Sequence, residues 1–414
     1  MAMDVYVVGV GMTKFGRYLD KSVKDLTGEA TLEALRDAGI TQKDVGAAFF
    51  ANTSQGYIEG QHMVRGQIAL REIGFEETPV SNVENACASA TTAFHLAFTN
   101  LRAGMSDITL AVGVDKMSTS DKQKGFSVFD GAWDVTTANE TAAILAKLGV
   151  GVEPPLGRGH GPNTRSLFMD VYASLSKYHM KRFGTTERHL AAVSAKNHWH
   201  STMNPLAQYQ QDMSIEEVLA ARMISWPLTI PMCAPISDGA AAAVLATDEG
   251  IDRLGLDRRR AIRIRASVLA GGTNRDPEAL ERQIGHLAAL RAYEMAGLGP
   301  EEMSVAEVHD ASAFAEIQQS ENLGFCEYGQ GGWIAERGET RLGGRIPINT
   351  SGGLESKGHP IGATGIGQVH ELVTQLRREA GPRQVEGARF AIAENGGGFY
   401  RCEEALVCMT ILGN

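Results

Sequence analysis

The chain has 414 residues, of which 43% are hydrophobic and 21% charged, a composition typical of a globular protein and not of a disordered or fibrous one. At roughly 150 residues per domain, this length predicts two or three domains or one large duplicated α/β unit. The formal net charge of −10 argues against a nucleic-acid-binding surface, and the sequence contains no run of about 18 apolar residues that would span a membrane.

The N-terminus and the cysteines indicate a reducing compartment. The chain enters a strand-like segment at Asp4 with no basic segment before it, so we expect no secretory signal peptide. The five cysteines are scattered and none stands in a Cys-x-x-Cys pair, so neither a disulfide framework nor a structural zinc site is expected. The sequence therefore predicts a cytoplasmic protein.

Strands and helices alternate in the first part of the chain. An amphipathic helix is predicted over residues 22–37, and it ends at Gly39. The predicted strands are residues 4–10, 45–52, 81–84 and 108–113. This alternation predicts a mostly parallel sheet with helices on both faces.

The middle of the chain is less regular. Glycine, histidine and proline are concentrated in residues 149–163, which predicts a long loop of the kind that usually serves binding. The predicted helices that follow are residues 166–183, 187–200 and 214–223. A new α/β pattern then begins near Ala234. We therefore predict an N-terminal half made of residues 1–116 with an excursion over 117–232, and a C-terminal half over 233–414.

The two predicted halves are similar to each other. In the first, a loop meets a helix of small residues at Cys87, and in the second a glycine-rich loop meets such a helix at His359. In each half a strand follows and ends in glycine, at Gly113 and at residues 396–398. This pattern predicts an internal duplication in which each half sends one loop–helix junction toward a shared centre.

Cys87 is the first candidate catalytic residue. It precedes a predicted helix of Ala, Ser and Thr residues, whose unpaired N–H groups favour a thiolate. The same N–H groups are suited to hold the oxygen of a thioester formed on the sulfur. The alternative is that Cys87 is a buried residue that only packs.

His359 is the second candidate. Glycines lie on both sides of it and Pro360 follows it, so little side-chain bulk surrounds the imidazole. Such a histidine can take a proton from a thiol or help to hold an oxyanion. The structural alternative is a loop histidine that caps the next helix.

Further candidates lie at the ends of two predicted strands and in the central loop. His309 follows a strand that ends at Val308. Glu394 and Asn395 precede Gly396, Gly397 and Gly398, whose backbone N–H groups can face a ligand unless the triplet is only a turn. His160, in the glycine-rich central loop, is expected to line the substrate channel.

Taken together, these segments resemble the thiolase superfamily, and most nearly its sterol-carrier-protein and lipid-transfer branch. The resemblance covers nearly the whole chain in the same order. The segments that carry it are NACASATTAF (85–94), KNHWHSTMNPLAQYQ (196–210), MCAPISDGAAAAV (232–244), EVHDASAFAE (307–316) and SGGLESKGHPIGATGIGQ (351–368).

The resemblance implies a five-layered αβαβα fold of two duplicated halves with mixed sheets, assembled as a homodimer. It implies an acyl-enzyme on Cys87, activated by His359, with acyl-coenzyme A thioesters as substrates. Coenzyme A would be a substrate, and no metal or permanently bound cofactor is expected. His309 and His359 would hold the thioester oxygen of the second substrate. The N–H groups of Cys87 and of one glycine in 396–398 would hold the acyl-enzyme oxygen.

The chain departs from the family where a second acid/base is usual. Both positions that normally carry the second cysteine are occupied by other residues, Glu394 and Ala311. A carboxylate in an apolar, glycine-lined cleft can have its pKa raised toward neutrality and serve as acid/base. Glu394 is therefore the expected substitute, with Asn395 or His309 as the fallback, unless Glu394 is an unpaired surface residue.

The leading hypothesis is a thiolase-type acyltransferase of lipid metabolism, such as β-oxidation, that makes or cleaves a C–C bond through Cys87. Its acyl group would be bulky: aromatic, a steroid side chain or dicarboxylic. One alternative is a retro-aldol lyase that acts on a β-hydroxyacyl thioester, and another is a non-catalytic lipid-transfer or scaffold subunit. The resemblance also implies a small accessory subunit with a zinc ribbon and an OB-type fold.

Overall fold

The computed structural model describes residues 3–156, 158–159 and 167–413. Within these residues the strands are β1 (Val5–Met12), β2 (Ala47–Ala51), β3 (Val80–Val83), β4 (Ile108–Asp115), β5 (Met223–Ser225), β6 (Leu228–Thr229), β7 (Gly239–Thr247), β8 (Ile262–Gly271), β9 (Val305–Glu307), β10 (Phe390–Gly397) and β11 (Leu406–Gly413).

The helices of the same residues include seven in the first half of the chain: α1 (Val23–Ala38), α2 (Gln55–Glu59), α3 (Arg65–Arg71), α4 (Ser89–Arg102), α5 (Lys122–Ser127), α6 (Ala138–Leu148) and α7 (Leu167–Phe183). The later helices are α8 (Glu187–Ser201), α9 (Ile215–Ala220), α10 (Asp248–Leu254), α11 (Ile284–Ala296), α12 (Ala313–Asn322), α13 (Gly331–Glu336) and α14 (Thr364–Leu376). None of these described helices is long and apolar enough to cross a bilayer.

Nine of the strands form one mixed sheet in the order β3-β2-β4-β7-β1-β8-β11-β10-β9. β2 is parallel to both β3 and β4, whereas β7 is antiparallel to β4 and β1. β1 meets β8 through two antiparallel residue pairs, and β11 is antiparallel to β8 and β10. The last pair, β10 and β9, is parallel.

The strand order shows the predicted duplication. The series β1-β7-β4-β2 repeats as β8-β11-β10-β9, with the same parallel and antiparallel relationships at each step. The counterpart of β3 is a parallel bridge between Ala306 and Ile348. β7 begins at Gly239, after the predicted boundary at residue 232, and pairs with strands of the first series. The position of that boundary stays a prediction.

Three hydrophobic cores separate five layers. The helix α1 packs on the outer face of the first series of strands, and α11 packs on the outer face of the second. Between the two series lie α4 and α14, whose apolar side chains share one core with β1, β7, β8 and β10. The predicted αβαβα arrangement is confirmed, and α4 and α14 form its central layer.

The pairing differs from the mostly parallel sheet that the alternation of strands and helices predicts. Antiparallel neighbours outnumber parallel ones in the described sheet. The connection from β10 to β11 spans residues 398–405 and contains no helix, so β11 returns beside β10 in the opposite direction. A parallel pair needs a longer crossover, which this segment does not supply.

Local sequence explains the first helix and its close packing. Ser22 and Asp25 form a reciprocal capping box at the start of α1, and Gly39 ends it with a φ of 73°. β1 presents two glycines to this helix. A Cβ atom at Gly9 would lie 2.3 Å from the carbonyl oxygen of Ala34, and one at Gly11 would lie 2.3 Å from that of Ala30. These glycines therefore let the helix backbone contact the strand.

We expect Gly11→Ala to lower the free energy of unfolding by about 1–3 kcal/mol or more, because the added methyl group meets backbone that cannot rotate away. The measurement is thermal or denaturant unfolding. Gly271→Ala is the matched control, since a Cβ atom there meets nothing within 4 Å. Equal stability of the Gly11→Ala variant and the wild type would contradict this account of the α1 contact.

Candidate active site

Cys87 lies in a tight turn between β3 and α4. Ala86, just before it, has a positive φ of 47°, and α4 begins two residues later at Ser89. The turn is closed by hydrogen bonds: the N–H of Asn85 donates to the Ser89 hydroxyl at 2.8 Å, and the N–H of Ser89 donates to the Ala86 carbonyl at 3.1 Å. The backbone around Cys87 is therefore fixed before the helix begins.

Cys87 lines a cavity of about 710 Å³ together with His309 and His359. The Cys87 sulfur and the nearest ring nitrogens of the two histidines all lie within 4.8 Å of one another. The cavity reaches the surface beside Tyr57 and Val135, whose side chains are exposed. One wall is aromatic and consists of Phe129, Phe168, Tyr172 and Phe399.

The imidazole of His359 is oriented by hydrogen bonds on two sides. Its Nδ1 lies 2.7 Å from the hydroxyl of Thr364, and that hydroxyl donates to the carbonyl of Pro360 at 3.0 Å. Since the hydroxyl has one proton, it accepts from Nδ1–H, and Nε2 keeps its lone pair for a proton from the cavity. The N–H of His359 also donates to Ser237 at 2.8 Å, which fixes the loop.

His309 places a second imidazole beside the first, with the ring centroids 5.2 Å apart. Both of its ring nitrogens are buried and have no hydrogen-bond partner among the described residues. Burial lowers the pKa of His309 to about 4. The pKa of His359 lies well below its ordinary value, because of burial first and the nearby His309 and Lys357 next. Both rings are therefore neutral at pH 7 and can accept protons or hydrogen bonds.

The N–H groups that the sequence predicts to favour a thiolate at Cys87 are opposed by a larger effect, the burial of the sulfur. Burial, reinforced by the charge of Asp115, raises the pKa of the Cys87 thiol to about 12. The N–H groups of Gly398 and of Cys87 itself act in the opposite direction, since both face the sulfur. Desolvation exceeds this stabilisation, so the thiol keeps its proton until a neighbouring base removes it. His359 is placed to be that base.

The glycine triplet after β10 closes over the turn that holds Cys87. A Cβ atom at Gly397 would lie 2.3 Å from the Asn85 carbonyl oxygen and 2.7 Å from the Cβ of Ala88. Gly398 has a φ of 63° and lines the cavity, with its N–H toward Cys87. Two backbone N–H groups, from residues 87 and 398, therefore converge near the sulfur as an oxyanion hole requires.

Two sequence models of one family match most of the chain: "Thiolase, N-terminal domain" over residues 5–217 and "Thiolase C-terminal domain-like" over residues 275–410. The chain belongs to the thiolase family. This confirms the family predicted from the sequence, and with it the class of enzyme, a thiolase-type acyl-CoA acyltransferase.

Similar proteins agree with this assignment. Acetyl-CoA acetyltransferase of Methanothermobacter thermautotrophicus is 38% identical over 95% of this chain and 96% of its own. Sterol carrier protein 2 of Homo sapiens is 36% identical over 95% of this chain and 70% of its own. The benzoylsuccinyl-CoA thiolase subunit BbsB of Thauera aromatica is 33% identical over 92% of this chain and 91% of its own.

Two solved structures share the fold. Human mitochondrial 3-ketoacyl-CoA thiolase superimposes with a TM-score of 0.69 at 17% identity, covering 100% of this chain and 99% of that one. The Ltp2-ChsH2(DUF35) aldolase superimposes with a TM-score of 0.76 at 20% identity, covering 99% of this chain and 97% of that one.

Glu394, the expected substitute for the second thiolase cysteine, is buried beside the site. Its Oε2 accepts the N–H of His309 at 2.9 Å, and its Oε1 has no partner. Burial, and next the charge of Glu404, raises the pKa of Glu394 to about 8. Glu394 is not among the described residues that line the cavity. Its acid/base role stays a prediction.

The remaining predicted residues lie in different surroundings. The Oδ1 of Asn395 accepts the Thr91 hydroxyl at 2.8 Å, so this amide links β10 to α4 away from the cavity wall. Gly396 and Gly397 pack against neighbouring segments. His160 falls outside the described residues.

Sequence reasoning missed residues that line or support the site. Glu404 and Tyr172 line the cavity, and Thr364 and Ser237 orient His359. Thr364 was within reach of sequence reasoning, because a hydroxyl in the turn after a catalytic histidine can fix its tautomer. Glu404 and Tyr172 stand in segments without a recognisable motif.

Cys87, His309 and His359 also form the group of donor atoms in the described residues that is close enough to hold a metal ion. A thiolate and two imidazoles are ligands that suit zinc. A metal ion bound there would coordinate the Cys87 sulfur and so block the nucleophile. The expectation that the enzyme carries no metal stays a prediction.

We expect His359→Ala to slow alkylation of Cys87 by iodoacetamide at least about tenfold near pH 7.5, because the neutral thiol loses its base. In this variant the rate should rise about tenfold per pH unit, as the thiolate fraction does below the pKa. The measurement is peptide mass spectrometry across a pH series. Cys326, whose pKa burial also raises to about 12, is the internal control. Equal Cys87 rates in the two proteins would show that His359 does not take the thiol proton.

Proposed function

We propose that this thiolase forms an acyl-enzyme on Cys87 and cleaves or forms the C–C bond of a β-ketoacyl-coenzyme A. The observation that carries the proposal is the meeting of Cys87, His309 and His359 within 4.8 Å at the wall of one cavity. The converging N–H groups of residues 87 and 398 support it. Coenzyme A enters as a substrate, and no permanently bound cofactor takes part.

In the cleavage direction, Nε2 of His359 takes the Cys87 proton while the sulfur attacks the β-keto carbon. The oxyanion that forms is held by the two backbone N–H groups. When it collapses, the Cα–Cβ bond breaks, the acyl group stays on the sulfur, and the departing enolate receives a proton at Cα. Coenzyme A then attacks the acyl-enzyme, the Cys87 sulfur leaves with the proton that His359 holds, and the coenzyme A thiol proton replaces the one that Cα received. His309, with two free ring nitrogens, is suited to hold the enolate oxygen.

The cavity suits a bulky acyl group. Its volume of about 710 Å³ exceeds what an acetyl group fills, and four aromatic side chains form one wall. Arg65 also lines the cavity, and the described residues place no carboxylate within ion-pair distance of its guanidinium. The guanidinium donates to Oδ1 of Asn52 at 2.8 Å and keeps further donors for a ligand. Aromatic rings beside such a guanidinium match an aromatic or dicarboxylic acyl chain. The relative named for benzoylsuccinyl-CoA supports this choice over a simple fatty acyl chain.

The test of the acyl-enzyme is intact-mass spectrometry after incubation with a panel of acyl-CoA thioesters. The wild type should gain the mass of one acyl group, largest in yield for bulky acids, and Cys87→Ser should gain no thioester. Turnover should fall by about 10³-fold or more in Cys87→Ala, because the covalent route is lost. Absence of any adduct on the wild type would reject the proposal.

The retro-aldol lyase remains the second candidate, because Ala311 and Glu394 occupy the usual positions of the second cysteine. A lyase would need a base but no acyl-enzyme. Its signature is therefore turnover of a β-hydroxyacyl thioester that survives Cys87→Ala. The likeness to an aldolase structure is at the level of the fold and does not favour this reaction over the transferase.

We also propose that the enzyme works in the cytoplasm as a homodimer with a small accessory subunit that contains a zinc ribbon and an OB-type fold. Two similar proteins support this proposal: BbsB is a thiolase subunit, and the aldolase structure contains Ltp2 together with ChsH2.

Native mass spectrometry of the tagged chain, isolated from its own cells, should show two copies of the 44.4 kDa chain plus a smaller zinc-containing protein. The physical reason is that an obligatory partner remains bound through a gentle isolation. Full turnover by the chain alone, without zinc and without added mass, would remove the accessory subunit from the proposal.

A further inference from the structure

The proposed reaction leaves one proton without an assigned carrier, the proton that joins or leaves Cα. Four carboxyl groups line the cavity with Cys87, His309 and His359: Glu84, Asp130, Glu403 and Glu404. Glu84 and Asp130 are exposed, and Glu84 accepts the N–H of Ala86 at 2.6 Å. Glu403 and Glu404 are neighbours in the loop between β10 and β11, whereas Glu394 on β10 is not among the described residues that line the cavity. A group that exchanges a proton with the substrate must reach the cavity, which favours this pair over Glu394.

The loop holds Glu404 and its neighbour Glu403 in different ways. Glu403 is an anchor: it pairs with Arg275 at 2.8 Å and accepts the N–H groups of Thr273 at 2.7 Å and Ile284 at 3.1 Å. The described residues give Glu404 no ion pair; its carboxyl group accepts the side-chain amide of Gln319 at 3.3 Å and its own backbone N–H. Glu403 therefore fixes the loop while the Glu404 carboxyl group stays available.

The missing side chain of Gly396 makes room for Glu404. A Cβ atom at Gly396 would lie 2.7 Å from Cγ of Glu404. The glycine is thus needed at the end of β10 if the carboxyl group is to lie where it does. The glycine triplet then has two separate uses, since Gly398 faces the sulfur and Gly396 receives the acid.

The charge of Glu404 acts on two neighbouring groups, Tyr172 and Glu394. Among neighbouring charges, Glu404 contributes most to the raised pKa of Tyr172 and of Glu394. Tyr172 also feels the charge of Cys87. Burial raises the pKa of Glu404 above its ordinary value. A desolvated carboxyl group of this kind both gives and takes a proton more readily near neutrality than an exposed one.

We propose that Glu404 is the acid/base that moves the Cα proton, an inference that rests on the acyl-enzyme mechanism proposed above. In cleavage, the Glu404 carboxylic acid gives its proton to Cα as the Cα–Cβ bond breaks and becomes a carboxylate. That carboxylate takes the thiol proton of the incoming coenzyme A, and the His359 imidazolium returns its proton to the departing Cys87 sulfur. In condensation, His359 keeps the Cys87 proton during acylation while the departing coenzyme A thiolate takes its proton from Glu404, and the resulting carboxylate takes a proton from Cα of the second acyl-CoA. The new carbon nucleophile attacks the Cys87 thioester, the C–C bond forms, and the sulfur leaves with the proton of the His359 imidazolium.

Glu394 then acts through another residue. Its Oε2 holds the backbone N–H of His309, so it positions that imidazole and does not contact the substrate.

Cys402 is the other group to consider, because its thiol also lines the cavity. Its sulfur lies 4.0 Å from the Arg275 carbonyl, to which it donates, and burial raises its pKa. A thiol with these features packs against its neighbours and does not serve as the acid/base.

The experiment separates acylation from the C–C step with two small probes that give the same product on Cys87. Acetyl-CoA acetylates the enzyme by thioester exchange, and acetoacetyl-CoA acetylates it only if the C–C bond breaks. Glu404→Gln should be acetylated by acetyl-CoA at a rate near that of the wild type, and by acetoacetyl-CoA about 10²-fold more slowly. Exchange of the acetyl-CoA methyl protons in D₂O should be lost in parallel.

Further variants test whether the position of the Glu404 carboxyl group determines the rate of the C–C step. Gly396→Ala displaces the carboxyl group without changing it and should reproduce the loss of the C–C step, whereas Glu404→Asp should restore part of it. The exposed Glu386→Gln is the matched control for removal of a carboxylate, and melting curves report folding.

The inference is overturned if Glu404→Gln cleaves acetoacetyl-CoA like the wild type, or if Glu394→Gln or Cys402→Ala loses methyl exchange while Glu404→Gln keeps it. If the wild type forms an adduct neither with these probes nor with the bulky thioesters of the panel, the acyl-enzyme mechanism itself fails, which is a different result.

Discussion

Close contact between the two halves of the molecule holds the active site together. A Cβ atom at Gly113, on β4, would lie 2.1 Å from the Gly362 carbonyl oxygen just before α14, and one at Gly365, in the first turn of α14, would lie 2.4 Å from Cγ2 of Thr91 on α4. Larger side chains at these glycines would push α14 away from β4 and α4. Because Cys87 precedes one helix and His359 precedes the other, their distance depends on this contact.

Buried aspartates reinforce the same junction. Asp115, at the end of β4, accepts the N–H of Gly362 at 2.6 Å and the hydroxyl groups of Thr53 and Ser54. Asp238 accepts the N–H groups of Met117 and Ser118, each at 2.7 Å, and so fixes the chain where it leaves β4. Each carboxylate satisfies several backbone donors at once, which is how a buried acid becomes tolerable. The charge of Asp115 also raises the pKa of the nearby Cys87 thiol.

Much of the fold could be predicted from the sequence, because the sequence signals that indicate it are local. The cap residues of α1 are visible in the sequence, and so are the glycine-flanked positions of Cys87 and His359. What was missed depends on tertiary contacts. The direction of the Cys87 pKa shift depends on how completely the sulfur is desolvated, which no sequence pattern reports. Likewise, the room that Gly396 makes for Glu404 exists only after β10 and the following loop have folded together.

Most of the aromatic wall comes from a part of the chain that lies outside the two series of strands. Phe129, Phe168 and Tyr172 belong to the excursion between β4 and β7, whereas Phe399, the sulfur and both imidazoles belong to segments within the two series. The excursion thus supplies much of the surface that faces the acyl group and none of the three reacting side chains. Substitutions in the excursion can change the preferred acyl group without disturbing the reacting centre. Related enzymes with this fold can therefore evolve to accept different substrates while they keep one reaction.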